Sequence, residues 1–120
     1  MSSTIIGRFR DDPVIKTTSA GNKIVTFTLI ISEIKGNQEW ETFIECSAWG
    51  TLAEGIASSL HKGDRAIVFG NFRGEILTDG STKDGKLTLY VESAGPELRF
   101  QTADVMHNSK IQRSADVEII

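Results

Sequence analysis

Only a few side chains in this sequence could attack, ligate or exchange a proton near neutral pH: Cys46, His61, His107 and a scatter of carboxylates. Cys46 falls on the inward face of a β-prone run, where a small buried thiol is far commoner than a nucleophile. His61 ends a helical segment, where a capping or dipole role is expected, and His107 lies in a stretch without periodicity. One Cys beside two His does not make a structural zinc site, and a lone Cys forms no internal disulfide, which fits a reducing compartment. Asp11-Asp12 and Glu39 with Glu41 read as solvated turn charges rather than a general acid and base. The glycines at 50, 55, 63, 70, 74, 80 and 85 lack phosphate-loop spacing ahead of a helix. No metal, no cofactor and no enzymatic activity are expected.

Binding chemistry has a better candidate in Trp40 to Trp49. Strand alternation there puts Thr42, Ile44, Cys46 and Ala48 on one face and Phe43, Glu45, Ser47 and Trp49 on the other. The second face is neither a clean core face nor a clean solvent face. By composition alone its aromatics read as core or subunit-interface residues. The competing reading is a platform on which unpaired bases stack, contributing about 1 to 3 kcal/mol per base, with a few cations tracking the phosphates. Arg8, Arg10, Lys16, Lys35, Lys62 and Arg73 are the cations available.

The elements that must hold such a platform are mostly strands. Ser3 to Phe9 reads as the first, interrupted at Asp11-Asp12-Pro13 and resumed over Val14 to Thr17. Ala20-Gly21-Asn22 signals a tight turn into a strand over Lys23 to Ile31, and Lys35-Gly36-Asn37 forms the next loop. Gly50 ends Trp40–Trp49. Leu52, Ile56, Ala57 and Leu60 then recur at helical spacing, with Thr51 as N-cap, Glu54 three residues on, and His61-Lys62-Gly63 as the stop. Arg65 to Leu77 is a long strand in which Gly70 and Gly74 permit bends or bulges. A polar loop follows over Asp79 to Gly85. The strand Lys86 to Ala94 points Leu87, Leu89 and Val91 inward and Thr88, Tyr90 and Glu92 outward. Gly95-Pro96 turns into a short last strand, Leu98 to Phe100.

This order suits a mainly β protein, a five-stranded Greek-key barrel of the OB-fold type, with one α-helix between strands three and four closing an end. A lone mid-chain helix counts against a sandwich, and an open α+β sheet is the other competing topology. Residues 1–102 read as one domain and 103–120 as a flexible tail. No run approaches the roughly 20 apolar residues of a membrane helix, and the first residues lack a secretory pattern. A cytoplasmic protein with no membrane partner is expected.

Thirteen Lys and Arg against sixteen Asp and Glu give a net charge of −3 over 120 residues. Setting aside Lys110 and Arg113, and Asp104, Asp116 and Glu118, leaves eleven against thirteen in residues 1–100, a net of −2. The acidity therefore belongs to the domain. A surface for nucleic acid has to be a narrow basic track beside an acidic remainder.

Four segments together carry a resemblance: Ile5-Ile6-Gly7-Arg8-Phe9-Arg10-Asp11-Asp12-Pro13, Phe27-Thr28-Leu29, Cys46-Ser47-Ala48-Trp49-Gly50-Thr51-Leu52-Ala53-Glu54 and Leu60-His61-Lys62-Gly63-Asp64. In order and spacing over about the first hundred residues the chain resembles the bacterial single-stranded DNA-binding proteins, with Trp-Gly-x-Leu-Ala-Glu the most specific part. The resemblance implies an OB-fold that binds single-stranded DNA without sequence preference, commonly as a homotetramer, in DNA replication, recombination and repair, and associated with the nucleoid. It implies base stacking by Phe43 and Trp49 and backbone contacts by Lys35, Lys62 and Arg73, and from the available cations Arg8 and Arg10 are expected near the backbone as well.

Several positions depart from the family pattern. Ile34 and Leu77 stand where many members place further stacking tryptophans, with Trp40 or Tyr90 as possible compensation. Glu45 and Glu75 stand where related proteins often carry Arg. Asp116-Val117-Glu118-Ile119-Ile120 lacks the acidic run and Pro-Phe ending that recruit partners, so recruitment through this tip is expected to be weak or absent. These departures also suit an OB-fold paralogue acting mainly as a protein-interaction or primosome-like accessory subunit.

Overall fold

Alternation of apolar and polar residues sets the first strand, β1 (Ser2–Phe9), whose Gly7 and Phe9 are buried while Thr4 and Ile6 face out. The computed structural model describes the backbone of residues 2–78 and 83–108, and side chains over 2–74 and 87–108. Asp11-Asp12-Pro13 interrupts the first strand as expected, and β2 (Val14–Thr17) resumes it. β3 (Lys23–Lys35) and β4 (Gln38–Trp49) form a long hairpin, longer than the apolar alternation alone indicated, closed by Gly36-Asn37 with Gly36 at φ 63°. The helix α1 (Gly50–Ser59) precedes β5 (Arg65–Thr78) and β6 (Lys83–Pro96).

The sheet runs β1-β5-β6-β4-β3-β2, with β1 also pairing β3. That extra pairing closes a barrel of five strands, β1 and β2 serving as two parts of the first. All pairs are antiparallel except β4 with β6, joined in parallel from Glu45↔Thr88 to Ser47↔Tyr90. This is the OB-fold expected, its helix between the third and fourth barrel strands.

The core fills the interior and the helix seals it. Val25, Phe27 and Leu29 of β3 oppose Ala48, Cys46 and Ile44 of β4. Phe9 stacks on Phe27 with ring centroids 4.6 Å apart and planes at 13°. Ala53, Ile56 and Leu60 bring the helix onto this cluster. Each large buried side chain here removes enough apolar area to stabilise the fold by about 1.5 to 3 kcal/mol before entropy is counted.

Several local expectations are corrected. Thr51 is not the N-cap: Trp49 holds that position in extended conformation without a side-chain bond, and Gly50 at φ 69° turns the chain into the helix. The helix stops at Ser59, so neither His61 nor Lys62 lies in its last turn. Asp64 instead closes the following turn, accepting from the His61 N–H at 2.8 Å while its own N–H donates to the His61 carbonyl at 2.9 Å. Strand pairing reaches Thr78↔Lys83, which puts Asp84 and Gly85 in β6 rather than in a loop; residues 79–82 lie outside the described set. Leu87 shares a face with Leu89 but is 59% exposed, because it lies past the last rung between β4 and β6. Leu98 to Phe100 form no strand. The side chain of Gln101 replaces it, bonding both backbone groups of Arg65, at 3.3 Å from its N–H and 2.7 Å to its carbonyl.

Gly70 makes the anticipated bulge. The register shifts between Phe69↔Ser93 and Gly70↔Val91, so Val91 and Ala94 both turn inward. A Cβ at 70 would press on backbone, 2.8 Å from the Tyr90 carbonyl carbon and 2.9 Å from the Val91 Cα. Gly70→Ala is expected to cost about 1 to 3 kcal/mol of stability through overpacking, read from urea unfolding midpoints. An unchanged midpoint would show that the bulge yields freely.

Candidate nucleic-acid interface

Residues opposite each other in a ladder share a face, so the register assembles the site directly. Four rows cross the outside of the barrel. Arg8, Ile30 and Phe43 form the first. Thr28, Glu45, Thr88 and Arg73 form the second. Val14, Thr26, Ser47, Tyr90 and Asn71 form the third. Lys16, Ile24 and Trp49 form the fourth. The six-residue step from Phe43 to Trp49 spans about 20 Å of strand.

Both aromatics are exposed, Phe43 at 56% and Trp49 at 44%. That removes the core reading for this chain. Tyr90 meets Trp49 edge to face at 5.3 Å and 64°, and the Arg73 guanidinium lies 4.7 Å above the Tyr90 ring. The Arg10 guanidinium lies 5.8 Å from the Phe43 ring centroid. Between these two clusters a groove of about 340 Å³ runs past Arg10, Val14, Thr28, Glu45, Ser47 and Thr88.

The remaining expected residues are less uniformly placed. Lys62 follows the helix, and its N–H donates to Asp12 at 2.8 Å, which sets it beside the groove mouth. Lys35 sits at the tip of the β3–β4 hairpin, opposite Gln38, and is not brought into the four rows. Trp40 opposes Glu33 on the other face of that hairpin from Phe43, so it does not extend the platform. Ile34 is 77% exposed at the hairpin end. For Leu77 and Glu75 only the backbone register is described, opposite Asp84 and Lys86; their side chains lie outside the described set. Tyr90 is the residue that sequence reasoning left unplaced. Its alternation with Leu89 and Val91 marked it as outward, but its neighbour Trp49 is on a strand reached only through the parallel pairing.

Electrostatically the face is mixed. Arg8 pairs with Glu41 at 3.3 Å and Arg10 with Asp11 at 2.7 Å, all four side chains well exposed. Exposed pairs of this kind contribute about 0 to 1 kcal/mol, so an incoming phosphate can displace either carboxylate. Glu45 stands in the middle of the face, between Thr28 and Thr88.

A family model described as the Single-strand binding protein family matches residues 1–96. The chain belongs to that family. The single-stranded DNA-binding protein of Mycobacterium leprae (strain TN) is 33% identical over 118 residues, covering 89% of this chain and 68% of that protein. Those of Paenarthrobacter aurescens and Bifidobacterium longum (strain NCC 2705) are each 32% identical, covering 85% and 91% of this chain but 64% and 54% of their own lengths. The chain therefore spans between about half and two thirds of these relatives. Among the described residues, no helix is long and apolar enough to cross a membrane, and no cluster of three His, Cys, Asp or Glu could hold a metal.

Beneath the face, burial pushes the Cys46 thiol up to about 12, with the Glu45 charge adding to the effect. The unfolded thiol loses its proton near 9.0 while the folded one keeps it to about 12. Unfolding then releases a proton in that window, and the contribution of this group to stability falls as pH rises through it. Iodoacetamide at pH 8 is expected to leave the native thiol intact and to label it after unfolding, and Cys46→Ala should flatten the loss of stability above pH 9. Rapid native labelling would contradict this burial.

Proposed function

We propose that this protein binds single-stranded DNA without sequence preference and serves DNA replication, recombination and repair in the cytoplasm, at the nucleoid. The observation that carries the reading is the set of rows that align exposed Phe43 and Trp49 and half-buried Tyr90 with Arg8, Arg73 and Lys16 on one outer face. Family membership and the names of the relatives support it. Bases stack on Phe43 and Trp49, and Tyr90 supplies a third ring where the platform is otherwise thin. Arg8, Arg10, Lys16, Lys62 and Arg73 follow the phosphates. Stacking accepts any base because every base has a π-face, and the backbone contacts read no sequence. Residues 1–102 make up the binding domain in this reading, and 103–120 an appended tail whose tip recruits partners weakly or not at all.

Titration with oligothymidine at low salt should quench tryptophan fluorescence, and rising salt should weaken binding steeply. Trp49→Ala should weaken binding by about 1 to 3 kcal/mol and Tyr90→Leu by about 1 kcal/mol, as expected for loss of one stacked base. Glu45→Arg should tighten binding by removing a charge that repels phosphate. Absence of binding at low salt would overturn the reading in favour of an accessory subunit that contacts protein, for which Glu45 in the centre of the face is the favouring observation.

The protein works as a homotetramer in this proposal. Ile6, Ile67 and Phe69 are 39 to 44% exposed on the outer face of β1 and β5, in register as Ile6↔Ile67 and Thr4↔Phe69. Along residues 2–7 β1 pairs only with β5 among the described strands, which leaves its other edge open to a second chain. Light scattering should return four times the chain mass, and a monomer at micromolar concentration would refute the assembly.

A further inference from the structure

The first of the four rows continues beyond the proposed platform. Arg8 pairs with Ile30 on one side and with Arg65 on the other. Phe43, Ile30, Arg8 and Arg65 therefore lie in one register line around the barrel, across β4, β3, β1 and β5, with the Ile30 side chain covered and the other three turned outward. Three strand spacings separate its ends, about 14 Å. At the far end, the Arg65 guanidinium sits 5.2 Å from the Phe100 ring centroid and that of Arg99 5.9 Å.

This end of the row is built and held in place. Gln101 bonds both backbone groups of Arg65 and also donates to the Glu97 carbonyl at 2.9 Å. Arg65 donates to Glu97 at 2.9 Å, and that bond, with the guanidinium charge, holds the Glu97 carboxyl below its usual range. The guanidinium is thus fixed in position, while Phe100 remains 74% exposed. A ring so exposed adds little to the core. Among the described residues the Arg99 guanidinium makes no ion pair within 4.0 Å, although its backbone N–H and its charge also help to hold the Glu97 carboxyl down.

We propose that Arg65, Arg99 and Phe100 form a second contact for single-stranded nucleic acid, in which Phe100 stacks a base between two guanidiniums and the strand reaches it from Phe43 across Arg8. The chemistry fits this ligand better than an apolar partner surface, because the aromatic is flanked by cations on a chain of net charge −3. The proposal rests on the reading of the Phe43–Trp49 face as the primary site. A short oligonucleotide fills that face alone, and a longer one is needed to reach Phe100.

The experiment compares an 8-mer and a 30-mer of fluorescein-labelled oligothymidine by anisotropy, on the full chain. Phe100→Ala should leave the 8-mer affinity unchanged and weaken the 30-mer about 5- to 10-fold, the scale of one lost stacked base. Arg99→Gln should weaken the 30-mer in the same direction, and Phe100→Tyr should restore it. Thermal melting and light scattering on each variant establish fold and assembly. Equal affinity of Phe100→Ala and wild type for the 30-mer overturns the proposal. So does an equal loss on both lengths, or a change in oligomeric mass, which would make Phe100 a subunit contact. Failure of the wild type to bind either length would instead refute the primary site.

Discussion

The barrel depends on β1 pairing with two strands at once. Over residues 2–8 it pairs with β5, and at Arg8 and Phe9 it also pairs with β3, after which the Arg10 N–H donates to Thr28 at 2.9 Å. Gly7 makes the crossing possible, since a Cβ there would stand 2.8 Å from the Ile30 carbonyl oxygen. Phe9 fastens the same point from inside through its stack on Phe27, and its backbone bonds to Asp64 and Gly63 tie the loop after the helix to it. Without this crossing the sheet would stay open. Arg8 would then belong to one strand pair, and no continuous row would join Phe43 to Arg65.

The outer face shows how an acidic chain can still present cations. Its arginines are not bare: Arg8 and Arg10 each sit beside a carboxylate at the surface, and Arg65 is held more firmly by Glu97. The exposed pairs are individually weak, so they orient the guanidiniums without committing them. Several cations also lie against rings, Arg10 on Phe43, Arg73 on Tyr90 and Arg65 on Phe100. Charge and π-surface thus occur as units rather than as separate patches, which is how a small number of basic residues can suffice.

Much of this was legible in the sequence. Period-two alternation located every strand of the barrel and assigned Phe43 and Trp49 to the outer face; turn residues marked the Asp-Asp-Pro break, and of the two glycines open to a bulge, Gly70 makes it while Gly74 pairs regularly with Leu87. What was not legible depends on distant neighbours. Tyr90 and Trp49 meet only because β6 lies parallel to β4, a pairing with no hairpin to announce it. Trp40 shows the converse: it is close in sequence to Phe43, but strand parity puts it on the other face. Leu98 to Phe100 had a plausible strand pattern, yet a single glutamine side chain supplied the bonds that a strand would have made. The helix begins one residue ahead of Thr51, at Gly50, whose φ of 69° suits a residue without a Cβ and leaves Trp49 in the cap position.

The parallel β4–β6 pairing has a kinetic side. Its three rungs join residues more than forty positions apart, and such non-local contacts form late because the loop entropy must be met first. The Trp49–Tyr90 corner therefore exists only in chains whose β4 and β6 have already paired. A ligand that bridges the two rings would bind chains in which this pairing is made and not their precursors, and would slow its separation by selective occupancy. In a protein of this size, ligand occupancy and resistance to unfolding or proteolysis then become a single coupled quantity.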